Sequence, residues 1–422
     1  MDYTFDILDL HDESEGAAGR RQAWLAAVQR GFHEGRPDEE FLRHWTAISR
    51  ADGCTCRGAW LPDGELGSGP TPVATYTSFD KTLNAGHELL PLRMVTDVTV
   101  SPAHRRRGLL RRLIEADLAE AAEAGLPLAA LTASEATIYG RWGFGAATFH
   151  QTVTVDTGPR FALRSFTDEG RVELLEPLEA WPHVRGVFEQ FHRSQRGSVE
   201  WPGYYEVMHS GAFDFREGGP DKKLRAVVHL DGDGTVDGFA LWKYDGKDGE
   251  RRKVTVSEMV ALTPASGLAL WQFLGGIDLV DLVSFNLAHP DDPLGWALRD
   301  INALQHTELE EFLWIRVLDV ERSLAARPWA TDGRVVLAVD DPQGHAAGRF
   351  VVETDAGHAR VTPTDATADV AVTAETLGSL YLGGALVSTL HKAGRVQGAD
   401  DAVARFAAMA DLPDAPYNIT GF

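Results

Sequence analysis

From Thr96 to Val100 the chain alternates loosely between polar and apolar side chains, the period-two pattern of a half-buried strand. The pattern breaks at Pro102 and passes through Arg105, Arg106, Arg107 and Gly108. It resumes with Leu109, Leu110, Leu113 and Ile114 at helical spacing. Strand, basic turn and helix are therefore predicted in that order, followed by a buried strand at LAALT, residues 128–132. Upstream, the same reading predicts helices over 19–32 and 37–49 and strands over 55–60 and 73–79.

The pattern has a weak echo. KVTVSEMVALTPASGLALWQFL (253–274) reads strand, Thr-Pro turn and helix, as LRMVTDVTVSPAHRRRGLLRRLI (92–114) does, and an apolar strand follows at 279–287. In the echo Ala265, Ser266 and Gly267 replace the arginines. That turn should hold an anion poorly, so this copy is read as degenerate, without cofactor, serving as wall and interface. Beyond Glu310, strands at 312–317, 334–339, 349–353, 359–362 and 369–372 precede helices at 374–380 and 400–410, an α+β pattern. Three units are expected: 1–156, 157–308 and 309–422.

A chain of 422 residues with 44% hydrophobic positions supports several cores. No apolar run approaches the roughly 18 residues of a membrane span, and the start MDYTFDILDLHDESE has neither the basic nor the apolar region of a signal peptide. Cys54 and Cys56 form a C-x-C without a second pair, which is neither a zinc site nor a disulfide framework. A cytoplasmic protein with no metal is expected. The net charge of −22, from 62 acids and 40 bases, argues against nucleic acid as a partner and favours small cationic molecules; no membrane partner is expected either.

The chemistry concentrates in the basic turn. A strand ending at the mouth of a helix brings backbone N–H groups and the positive end of the helix dipole to one point. Arginines add charge there, and Gly108 lets the backbone come close. A diphosphate is the expected ligand. This turn resembles the R/Q-x-x-G-x-G/A loop by which GNAT acetyltransferases hold acetyl-CoA, with Leu110 where the pattern has Gly or Ala. The block Ser134-Glu135-Ala136-Thr137-Ile138-Tyr139-Gly140-Arg141-Trp142-Gly143-Phe144 follows at the matching distance. In that superfamily the strand before this block splays from its neighbour to admit the pantetheine arm, and the Tyr lies near the thioester sulfur.

VSPAHRRRGLLR, the ASE-x-x-IYGR block and LGSLYLGG together resemble the enhanced-intracellular-survival (Eis) N-acetyltransferases over essentially the whole chain. The resemblance implies two tandem GNAT folds, the second degenerate, followed by a sterol-carrier-protein-like domain. It implies acetyl-CoA on Val98, Thr99, Val100, Arg106, Arg107, Gly108, Leu109, Leu110, Arg111, Ser134 and Glu135. It makes Tyr139 the general acid, and the terminal carboxylate, here that of Phe422, the general base. Family members often place an acid before that terminal aromatic; Gly421 stands there instead. Phe32, Glu34 and Trp45 match the family's substrate funnel approximately, across an insertion. The implied activity is acetylation of primary amines of cationic substrates, aminoglycosides first, in a homohexamer. The alternatives are acetylation of lysine on peptides, or a lipid-carrier or assembly module with a vestigial acetyltransferase domain.

Overall fold

The computed structural model describes residues 2–422. The first part of the chain forms β1 (Thr4–Ile7), α1 (Glu15–Gly31), α2 (Glu39–Ala51), β2 (Thr55–Trp60), β3 (Ala74–Asn84), β4 (Leu89–Val100), α3 (Leu109–Glu123), β5 (Leu128–Thr132), α4 (Ala136–Tyr139), β6 (Gly145–Ala146) and β7 (Phe149–Asp156). The second forms β8 (Arg171–Leu175), α5 (Pro177–Ser194), α6 (Tyr204–His209), β9 (Arg225–Leu230), β10 (Val236–Asp248), β11 (Arg251–Ala261), α7 (Pro264–Gly275), β12 (Leu282–Ala288), α8 (Leu294–Ala297), β13 (Leu304–Glu311) and β14 (Leu313–Val317). The third forms α9 (Val320–Ala326), β15 (Gly333–Asp340), β16 (Gly348–Asp355), β17 (His358–Pro363), β18 (Val370–Thr373), α10 (Ala374–Leu380), α11 (Val387–Lys392), β19 (Val396–Gly398) and α12 (Asp400–Ala410).

These strands make three sheets, and the first two exchange their last strands. The first sheet runs β1-β2-β3-β4-β5-β14-β6, the second β13-β7-β12-β11-β10-β9-β8, and the third β17-β16-β15-β18-β19. The strand at 313–317, which the sequence pattern assigns to the third unit, thus lies inside the first sheet, antiparallel to β5 and β6. The strand at 149–156 lies between β12 and β13 of the second. Every residue of β14 is buried, so it behaves as a central strand, covered on both faces. The two chain segments cross where Ala147 N–H donates to Leu313 O (2.8 Å) and Phe312 N–H donates to Thr148 O (2.9 Å). Period-two patterning identifies a strand but carries no information about its partner.

Two buried polar clusters hold the first sheet to its neighbours. Asp117 of α3, fully buried, accepts hydrogen bonds from Tyr76 Oη (2.9 Å), Ser78 Oγ (2.6 Å) and Arg93 Nη1 (2.6 Å), and pairs with Arg57 Nη1 at 3.0 Å. On β14, Arg316 pairs with Asp341 of the third unit at 2.5 Å, both buried. The LGSLYLGG stretch supplies the rest of that joint. Gly378 in α10 lies so close to β14 that a Cβ would sit 2.1 Å from the Ile315 carbonyl, so only glycine allows this approach.

Candidate active site

In the first sheet β4 and β5 pair in parallel only over Leu92–Met94 and Leu128–Ala130. From Val95 onward the two strands part. Their divergence opens a cavity of about 320 Å³ lined by Val95, Thr96, Asp97 and Val98 on one side, and by Leu131, Thr132, Ala133 and Ser134 on the other. Phe32, Tyr139, Glu311, Phe312 and Phe422 complete its wall.

The basic turn follows β4 and leads into α3. Gly108 caps α3 in the left-handed conformation (φ 77°) with no side chain accepting from the helix N-terminus. Arg105, Arg106, Arg107 and Arg111 are all exposed around it, and Arg106 is itself left-handed (φ 61°). Arg107 Nη1 donates to the hydroxyl of Tyr3 at 3.1 Å. Uncapped N–H groups, the helix dipole and exposed guanidinium groups are the donor set that a diphosphate requires. The cavity and this turn lie at the two ends of the segment 98–108.

The same point in the second sheet is closed. There α7 begins with a capping box: Ser266 N–H donates to Thr263 Oγ1 at 3.1 Å and Thr263 N–H to Ser266 Oγ at 3.2 Å. The parallel pairing of β11 with β12 ends at Val256 and Phe285. Beyond it, Val260, Leu262 and Leu287 share an apolar cluster with Tyr417 and Ile419. The Tyr417 hydroxyl donates to the Leu287 carbonyl. The last segment of the chain thus fills the wedge of the second sheet.

That segment continues into the first site. Pro416 to Thr420 are buried. Thr420 Oγ1 donates to Val199 O at 2.6 Å, Asn418 Oδ1 accepts from Val199 N–H at 3.1 Å, and Gly421 N–H donates to the Tyr205 hydroxyl at 2.9 Å. The Tyr204 hydroxyl donates to the Gly421 carbonyl. At the end, Thr132 Oγ1 on β5 donates to a main-chain oxygen of Phe422 at 2.5 Å. Chain segments 290 residues apart therefore meet across the cavity.

Tyr139 closes the inner wall at the end of α4. It is 7% exposed, edge-on to Phe144 at 6.3 Å. Burial, with a smaller effect from Glu135, pushes its phenol up to about 12, so it is protonated at neutral pH and available as a donor. Of the other residues drawn from the sequence, Val98 and Ser134 line the cavity. Thr99 and Val100 continue β4, with Thr99 Oγ1 2.6 Å from Thr75 Oγ1. Leu109 is buried under the helix start, Leu110 is half-buried, and Glu135 is exposed beside Ser134. The funnel residues separate: Phe32, at the end of α1, lines the cavity, whereas Glu34 is exposed in the next loop. Trp45 does not line the cavity; it stacks on Trp24 with ring centroids 5.5 Å apart. Its apolar area is used between α1 and α2.

Several residues of the cavity lining escape the sequence reading, among them the polar side chains of Asp97, Thr132 and Glu311; Tyr204, which holds the Gly421 carbonyl, escapes it too. Only Asp97 leaves a local signal, an acid inside an otherwise β-forming run, where Asp is disfavoured.

Residues 16–147 and 195–317 each match the acetyltransferase (GNAT) domain family, and residues 320–418 match the sterol carrier protein domain family. N-acetyltransferase Eis of Mycobacterium tuberculosis is 34% identical over 384 residues, 88% of this chain and 90% of that protein. The chain belongs to the Eis family of N-acetyltransferases. A relative from Streptomyces griseus, described as an uncharacterized N-acetyltransferase, is 35% identical over 387 residues, 89% of this chain and 90% of its own. The crystal structure of Eis1 from Mycobacterium abscessus aligns over all of both chains with a TM-score of 0.82 and 27% identity. A GCN5-related N-acetyltransferase from Anabaena variabilis shares the fold at 15% identity, with a TM-score of 0.80 over all of both chains. The Eis architecture is thus two GNAT units followed by a sterol-carrier-like unit, and the chain is an acyltransferase.

Proposed function

We propose that the chain transfers the acetyl group of acetyl-CoA to a primary amine on a small polycationic molecule, aminoglycosides being the leading class. The observation that carries this is the meeting of Tyr139, Phe422 and the splayed β4 edge in one cavity above an open arginine turn. In this reading Arg106, Arg107 and the N–H groups after Gly108 bind the diphosphate. The unpaired edge of β4 at Val98 and Val100 pairs with the pantetheine amides, as a peptide adds to a sheet edge. The amine nitrogen attacks the thioester carbonyl, a C–N bond forms, and the C–S bond breaks. A β4 N–H steadies the oxyanion, Tyr139 gives its proton to the departing sulfur, and the Phe422 carboxylate orients the nitrogen and accepts a proton from it. Negative groups at Glu311, Asp97 and Phe422 line one small space, which suits a cationic acceptor.

A panel of aminoglycosides, polyamines and lysine peptides, read by release of free thiol, tests the substrate class; turnover of lysine peptides alone would replace it with protein acetylation. A Gly-Ser extension after Phe422 tests the carboxylate, because it turns that group into a neutral amide. The expected result is a large loss of kcat with acetyl-CoA affinity unchanged, since the diphosphate turn lies elsewhere. Normal turnover by the extended chain would remove Phe422 from the chemistry.

A further inference from the structure

A primary ammonium that becomes an amide sheds two protons: one before its nitrogen can attack, one as the C–N bond forms. One returns to the thiol product, so one leaves to solvent in each turnover. The mechanism described above uses one acceptor, the carboxylate of Phe422. We propose that Asp97 is the second, a catalytic carboxylate that receives the arriving ammonium and takes its first proton, leaving the second to Phe422; this rests on the reading of the cavity as the acetyl-transfer site.

The geometry is specific to this residue. Thr75 pairs with Thr99 and Thr77 with Thr96, so Asp97 and Val98 together oppose Tyr76 alone, a bulge in β4. Asp97 sits there with φ 52°, left-handed. The strained backbone is held by the Thr75 hydroxyl, which donates to the Asp97 carbonyl at 2.7 Å. Such outliers persist only where the surroundings fix them, and they cluster at functional sites. The bulge places Asp97 in the lining of the cavity that Tyr139 and Phe422 also line.

The carboxylate has few partners. Thr77 Oγ1 donates to Asp97 Oδ2 at 3.0 Å, and among the described residues no Lys, Arg or His pairs with it. Its titratable neighbours are the thiols of Cys54 and Cys56 from the β2 side, the Tyr204 phenol on α6, and, across the cavity, Tyr139, Glu311 and Phe422. Burial raises both thiols and the Tyr204 phenol, so these stay neutral. A carboxylate without a resident cation, in a wall open to substrate, is complementary to a cationic amine. Burial also lifts Asp97 to about 6, nearer to working pH than an α-carboxyl at about 3.3–3.7, and base strength matched to pH is what general-base catalysis needs.

The test is Asp97→Asn, because Asn tolerates the left-handed conformation and its amide oxygen can still accept from Thr77. Wild-type protein is first titrated with acetyl-CoA by calorimetry; no binding would overturn the cavity reading and the proposal together. Given binding, D97N should retain acetyl-CoA affinity within about twofold while kcat/KM for the amine falls by about 100-fold at pH 6.5. The deficit should shrink toward pH 9.5, where the amine arrives already deprotonated. A chain extended beyond Phe422 should show no such recovery, because the second proton still needs its acceptor. A D97N protein within threefold of wild type at pH 6.5, or with the same deficit at both pH values, overturns the role of Asp97 alone.

Discussion

At the scale of single residues, the site depends on what burial does to two protons. Tyr139 keeps its own because desolvation holds the phenol neutral. Replacing it by Phe removes the acid and leaves the ring against Phe144. We expect kcat to fall by about 10²–10⁴ with little change in melting temperature, and near-normal turnover would show that the thiolate departs unaided. Asp97 is raised by the same desolvation, and in the accessible pH range this bears on stability. Its carboxyl titrates near 6 when folded and near 3.9 when unfolded, so the folded chain binds this proton more tightly. The sign follows from linkage: stability falls as pH rises from about 4 to about 6, and the full deficit is present above that. Two pH units amount to a cost on the order of 2–3 kcal/mol. Asn at position 97 does not titrate. The melting temperature of D97N relative to wild type should therefore climb between pH 4 and 6.5 and then level off; a difference independent of pH would contradict the raised carboxyl. Glu34 and Trp45 show the limit of reading residues by position: one stands in solvent and the other packs on Trp24.

At the scale of elements, the start of α3 and the start of α7 are the informative pair. Both follow a strand and a Pro-containing turn, yet one has an uncapped N-terminus ringed by arginines and the other a closed capping box. The difference was legible in the sequence, because caps and arginines act locally. Replacing Arg106 and Arg107 together by Ala should raise KM for acetyl-CoA far more than KM for the amine. Each charged contact to phosphate is worth roughly 1.5–3 kcal/mol, so the expected rise is at least tenfold. Equal effects on the two substrates would mean that the diphosphate binds elsewhere. The helices at 374–380 and 400–410 were equally legible, and both match α10 and α12. Strand partners were not. The run at 312–317 has the pattern of any buried strand, and nothing within it tells that β5 and β6 lie on either side.

At the scale of the whole molecule, the wedge of the second GNAT unit is occupied by a segment of the same chain. Its wedge holds Tyr417 and Ile419, and this docking directs Phe422 toward Thr132 in the first unit. The same unit carries an exposed edge strand, β13, with Leu309 68% exposed, and Trp296 nearby in sequence at 82%. An open edge with apolar side chains invites a partner. Most soluble oligomers are closed and symmetric, and we expect a closed assembly of more than two copies that covers this face. Light scattering at micromolar concentration checks it, and a monomer or a dimer would defeat it. The sequence by itself determined what is local: the arginine turn before α3, the Tyr139 block, the order of elements and the absence of arginines at the matching turn of the second copy, each written in residues a few positions apart. Only the tertiary structure decided which strands pair, that 97 is a bulge opening on the cavity, and that residues 417–422 thread one unit to reach another. These depend on contacts between segments far apart in the chain, and no periodicity of either segment encodes its partner.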